Sequence, residues 1–112
     1  MATFPRRGEI WLVEFPDDPK SRPALIVAPD VRNELANSVL AVPVTTNLRP
    51  APTHVLLPAG QGGLKHESMA RCENVSYRHK SRFNRGPLAG MVSLPLMHEV
   101  ERCLLRSLGM SA

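Results

Sequence analysis

Pro23–Ala28 (PALIVA), followed after a polar break by Ser38–Thr46 (SVLAVPVTT), is the stretch that decides the architecture. The first run is apolar throughout and too short for a helix, the pattern of a strand buried on both faces. The break, Asp30–Asn37 (DVRNELAN), reads as a turn or one helical turn. The second run carries Pro43, which removes a ladder donor and places that strand at an edge or on a bulge. If the two runs form an antiparallel hairpin centred on Asn33 and Glu34, facing residues have numbers summing to 67. Arg22 then stands opposite Thr45, with Cβ atoms about 4.5–5.5 Å apart.

Outward from this hairpin the chain reads as short strands ending in one helix. Gly8–Phe15 (GEIWLVEF) is an upstream strand, joined by a turn-rich loop of Pro16–Pro19 with Lys20 and Ser21. Downstream lie a strand at Thr53–Leu57, a glycine-rich loop at Gly60–Gly63, a fifth strand at Ser68–Val75 (SMARCENV) and a short sixth around Leu88–Val92. Leu94–Leu108 is the helix: Ser93 can cap it, Pro95 suits its first turn, and Gly109 stops it. Met97, Val100, Leu104 and Leu108 give it one apolar face, and His98 lies at the surface. The expected fold is mainly β, one domain over residues 1–112, a small curled sheet or half-open barrel with a C-terminal helix.

Composition excludes several classes. No uncharged run reaches the ~18 apolar residues of a spanning helix, so no membrane role is expected. Met1–Glu9 has Arg6 and Arg7 but no apolar stretch behind them, which is not a signal-peptide pattern, and cytoplasmic residence is the expectation. Cys72 and Cys103 are far apart and read as reduced core thiols. No Cys/His cluster has zinc spacing, and no Walker-type loop or nucleophile elbow occurs, so neither metal nor cofactor is expected. The net charge of +4 favours a polyanion partner weakly. Arg78, His79, Lys80, Arg82 and Arg85 crowd into eight residues, either a solvated loop or a phosphate-binding patch.

Three sets of residues can carry chemistry. Arg22 is held extended by Pro23; with Thr45 opposite, guanidinium and hydroxyl can share one phosphate, or they are merely a sheet-edge Arg and a β-favouring Thr. Alternation along the fifth strand puts Arg71 and Glu73 on one face and Cys72 with Ala70 in the core. That pair is either a surface ion pair or a carboxylate base beside a phosphate-orienting cation. His54, His66, His79 and His98 show no diagnostic spacing. His54 alternates with Val55 and can face a groove, and His79 ranks first for phosphate contact. Tyr77 and Phe83 are the stacking candidates for bases, whereas Trp11 reads as core.

Arg7–Phe15 (RGEIWLVEF), Ser21–Ala28 (SRPALIVA), Ala41–Thr46 (AVPVTT) and Arg71–Asn74 (RCEN) occur in the order seen in the MazF/PemK/Kid toxins, and the chain resembles that family over residues 6–109. The resemblance implies a Src-homology-3-like barrel and a homodimer. It implies metal-independent cleavage of single-stranded RNA, and neutralisation by an antitoxin with an acidic segment. It assigns catalytic positions to Arg22, Thr45, Arg71 and Glu73. RNA contacts are expected from Lys20, Ser21, Thr46, Asn74, Tyr77, His79, Lys80 and Arg82. The loop between the first two strands is shorter than the family's, Glu73 stands for an Asp, and Asn74 for a Gln. The runner-up is a CcdB-like toxin that binds gyrase without catalysis; a third reading is an inactive RNA-binding domain.

Overall fold

A computed structural model describes residues 4–15 and 18–111. β1 (Ile10–Phe15), β2 (Asp18–Ile26) and β3 (Ser38–Thr45) pair antiparallel in succession. Between β2 and β3 the polar break forms a short helix, α1 (Asp30–Leu35). The registers Ala24↔Pro43, Leu25↔Val42 and Ile26↔Ala41 all sum to the expected 67. Both faces of β2 are covered. Leu25 and Val27 join a large core with Val42, Val55, Leu57, Met97 and Val100; Ala24 and Ile26 join a second core with Trp11, Val13, Val39, Ala41 and Phe83.

β3 is the hub of the sheet and not an edge. One side of it pairs with β2; the other pairs first with β6 (Ser76–His79) and then with β5 (Ser68–Arg71), which pairs in turn with β4 (His54–Leu57). Pro43 is tolerated because of where it falls. The Val27 amide donates to the Leu40 carbonyl at 3.2 Å. Polar groups alternate along a strand, so the Pro43 nitrogen faces away from β2. On that other side it sits between the β6 pairing, which ends at Ala41, and the β5 pairing, which begins at Val44. The described strands form an open six-stranded antiparallel sheet carrying a C-terminal helix, α2 (Leu94–Ser107).

Other expectations need correction. The loop before Arg22 is shorter than expected, since β2 already begins at Asp18; Pro16 and Asp17 lie outside the described residues. The fifth strand stops at Arg71, and Cys72–Asn74 form a 3-10 turn. The sixth strand is Ser76–His79, running into the basic block, whereas residues 88–92 form no strand and lean on β1 and the residues before it through Leu88 N–H to the Ile10 carbonyl and Val92 N–H to the Gly8 carbonyl, both 2.9 Å. On α2, Met97, Val100 and Cys103 are buried while Leu108 is 68% exposed, because the chain turns off at Gly109 before that residue meets the core. Phe83 is no stacking residue: it is buried edge-on against Trp11. The Ser93 cap is present, its Oγ accepting from Leu96 N–H at 3.5 Å.

The Arg7–Glu9 motif has structural work. The Arg7 amide donates to Asp30 Oδ1 at 2.7 Å, and its guanidinium donates to the Val27 carbonyl and the Glu101 carboxylate. Gly63 holds φ +86 in the glycine-rich loop, and a Cβ there would lie 2.5 Å from the Ala89 nitrogen, so this glycine serves close packing. Both cysteines are buried. Burial, reinforced by Cys103, pushes the Cys72 thiol up to about 12, leaving it protonated and unreactive.

Candidate functional site

β2, β3 and β5 lie side by side, and each brings one donor to the same place. An open groove of about 460 Å³ is lined by Arg22, Pro23, Pro43, Val44, Thr45, Thr46 and Arg71. Arg22 is exposed and is fixed midway along β2 by its pairing opposite Val13 and by the following Pro23. Thr45 ends β3 opposite Met69. Its Oγ1 accepts the Asn47 amide at 3.1 Å, which leaves the hydroxyl hydrogen to donate elsewhere. Two guanidiniums and a hydroxyl around one opening are the donor set of an oxyanion site.

A smaller hollow of about 80 Å³ adjoins this groove and shares Thr45 and Arg71 with it; Asn47, Arg49 and His54 complete its lining. Behind Arg71 lies Glu73, in the turn that ends β5. The Arg71 Nε is 4.0 Å from Glu73 Oε2. The same oxygen meets His54 Nε2 at 2.9 Å, and Glu73 Oε1 accepts the Thr53 hydroxyl at 3.1 Å. The Arg71–Glu73 neighbourhood foreseen from strand alternation is therefore made by a turn, and Cys72 is buried as expected. Glu73 flanks the groove without lining it.

Glu73 titrates below the ordinary carboxylate value of 4.5. Partial burial pushes it upward, but hydrogen bonds from His54, its own backbone N–H and Thr53 favour the charged form and outweigh burial. A carboxyl depressed in the folded state contributes stability that is present above its unfolded value and is lost as pH falls through the folded value. The melting temperature of the wild type should exceed that of Glu73→Gln at neutral pH, and the gap should close as pH drops below 4.5. A gap that stayed constant into acid would contradict the depressed carboxyl.

The other expected contacts divide. Lys20 and Ser21 precede Arg22 on β2, Thr46 lines the groove, and exposed Asn74 follows Glu73. Tyr77 and His79 lie elsewhere, on β6 opposite Leu40 and Ser38. At about 3.3 Å per residue they are roughly 17 and 23 Å up the strand from Thr45. Tyr77 is covered on one face by the Arg32 guanidinium, 4.8 Å from the ring centroid. Lys80 donates to the Glu34 carbonyl at 2.7 Å, His79 pairs with Ser81, and Arg82 is exposed. None of Tyr77, His79, Lys80 and Arg82 is among the residues that line the groove. Sequence reasoning missed Asn47 and Arg49; it let His54 face a groove, as it does, but did not pair it with Glu73. The usable signal was the position of His54 at the head of β4, opposite Arg71. Among the described residues no three His, Cys, Asp or Glu side chains gather as a metal site, and no helix is long and apolar enough to cross a membrane.

An open β-sheet whose three central strands converge on a groove lined by two arginines, flanked by a carboxylate, is a small β scaffold with donors suited to an anion. Solved structures place it further. A mycobacterial endoribonuclease superposes with a TM-score of 0.80 at 26% identity, covering 95% of this chain and 92% of its own. A mycobacterial endoribonuclease in complex with its cognate antitoxin gives 0.83 at 26%, covering 96% and 98%. A MazE–MazF complex from Deinococcus radiodurans gives 0.82 at 25%, covering 98% and 100%. No curated protein sequence matched. Residues 6–108 match the sequence model of the PemK-like, MazF-like toxins of type II toxin–antitoxin systems, and the chain belongs to that family.

Proposed function

We propose that this toxin is a metal-independent endoribonuclease that cleaves single-stranded RNA by attack of a ribose 2′-hydroxyl on the adjacent phosphorus. The observation that carries the reading is the convergence of Arg22, Thr45 and Arg71 on one open groove, with Glu73 beside Arg71. Glu73, ionised at neutral pH, takes the 2′-hydroxyl proton as that oxygen bonds to phosphorus. Arg22 and Thr45 stabilise the charge that develops on the phosphorane oxygens, and Arg71 orients the phosphate from the other wall. The P–O5′ bond breaks, and the leaving oxygen takes a proton from solvent in the open groove. The products are a 2′,3′-cyclic phosphate and a 5′-hydroxyl end. Because the Glu73 carboxyl is depressed, it is ready to accept a proton but accepts it weakly, so the guanidiniums carry most of the rate.

The relatives solved with antitoxins support an antitoxin partner for this chain as well, one whose acidic segment would compete with RNA for the cationic groove. A homodimer in the cytoplasm is the proposed state. A fluorogenic single-stranded RNA should be cut in EDTA, and its fragments should carry cyclic phosphate and 5′-hydroxyl ends. Binding without cleavage, or cleavage that EDTA abolishes, would overturn the proposed chemistry.

A further inference from the structure

We propose that His54 is a positioning residue of this site, an imidazolium strut that holds the Glu73 carboxylate beside Arg71; the proposal rests on the nuclease reading above. The His54 side chain is only 7% exposed, and both of its ring nitrogens face acceptors. Nδ1 lies 2.8 Å from the Arg49 carbonyl oxygen and Nε2 lies 2.9 Å from Glu73 Oε2. A neutral imidazole has one N–H and would set its remaining lone pair against an oxygen. A buried acceptor facing an acceptor is unfavourable, whereas an imidazolium donates to both. The ring thereby ties the segment after Thr45, which carries Asn47 and Arg49, to the turn that carries Glu73.

The strut bears on the groove through Arg71. His54 and Arg71 are direct cross-strand partners on β4 and β5. Arg71 lines both the groove and the smaller hollow and faces the carboxylate oxygen that His54 holds. With Thr53 holding the second oxygen, the carboxylate has a defined place and the guanidinium has a defined neighbour. The charged and titratable groups around the ring are Glu73 from the turn, Arg71 from β5 and Arg49 from the loop after β3. From α2 come Cys103, whose thiol faces the His54 carbonyl at 3.7 Å, and Arg106, which donates to the Pro52 carbonyl at 3.1 Å. Glu73 is the one anion among them, and it is the acceptor that faces Nε2.

The test is RNA cleavage in EDTA by wild type, His54→Gln and His54→Ala, with ring nitrogen NMR on the wild type. A misplaced group can cost about 100-fold, and that loss is expected in kcat for His54→Ala, with KM little changed. His54→Gln, which keeps an amide donor, should recover part of the rate. NMR should show a hydrogen on each ring nitrogen, as donation to two acceptors requires. Wild-type kcat in both variants would overturn the proposal, as would a ring nitrogen without its hydrogen. Should His54→Ala fail to fold, His54→Gln and the wild-type spectrum decide. A wild type that cuts no RNA at all would instead refute the nuclease reading, and the spectrum would still report on the strut.

Discussion

Arg22→Ala should lose RNA cleavage by about 100–1,000-fold, the usual cost of removing one donor aimed at a developing oxyanion. The fold should survive. Arg22 is exposed, and substitutions at exposed sites outside core and caps usually move stability by no more than about 0.5 kcal/mol. Its backbone is held by Pro23 and by pairing with Val13, neither of which needs the guanidinium. Arg22→Lys separates charge from geometry. Lysine restores the positive charge but lacks the planar fork that can hold two phosphate oxygens, so it should recover only part of the rate. Single-turnover cleavage alongside thermal melting checks both halves of the expectation. A folded Arg22→Ala with wild-type turnover would remove Arg22 from the chemistry and leave the groove without its principal donor on β2.

The reason Arg22 was legible in the sequence is that register is arithmetic. An all-apolar strand, a polar break and a second strand leave few ways to pair, and the sum of 67 holds at every paired position of β2 and β3. The C-terminal helix was legible for a similar reason: a cap, a proline in the first turn and a 3.6-residue period agree with one another. What failed was whatever depended on neighbours distant in sequence. Pro43 suggested an edge or a bulge because the sequence cannot show that two different strands share one side of β3 and leave a gap at that residue. Glu73 was assigned to a strand because the alternation of Arg71, Cys72 and Glu73 looks the same whether the chain runs on or turns at Cys72. The basic block concealed β6, since Arg78 and His79, on opposite faces of a four-residue strand, read as loop. His54 was invisible as a partner of Glu73 because the two meet only through the pairing of β4 with β5.

Trp11→Ala should destabilise the fold far more than any change in the groove. The indole is 8% exposed and packs edge-on against Phe83, with ring centroids 6.3 Å apart at 75°. Its Nε1 donates to Glu9 Oε1 at 3.0 Å, and across the hairpin it faces Ala24, too small to fill the space it would vacate. Among the described residues the second core contains seven that are buried, so few neighbours can close over a cavity of that size. Removing a buried tryptophan typically costs 3–5 kcal/mol. For a domain of this length about 4 kcal/mol corresponds to a melting temperature lower by roughly 15–25 °C. The loss should also reach function, because Trp11 and Val13 fix the strand from which Arg22 projects. Cleavage should therefore weaken well below the midpoint of unfolding, as the β1–β2 hairpin opens ahead of the core beneath α2. Melting followed by tryptophan-independent circular dichroism, with the exposed His98→Ala as comparison, measures the first effect. If Trp11→Ala melted no lower than His98→Ala, the second core would not be what holds the Arg22 hairpin in place.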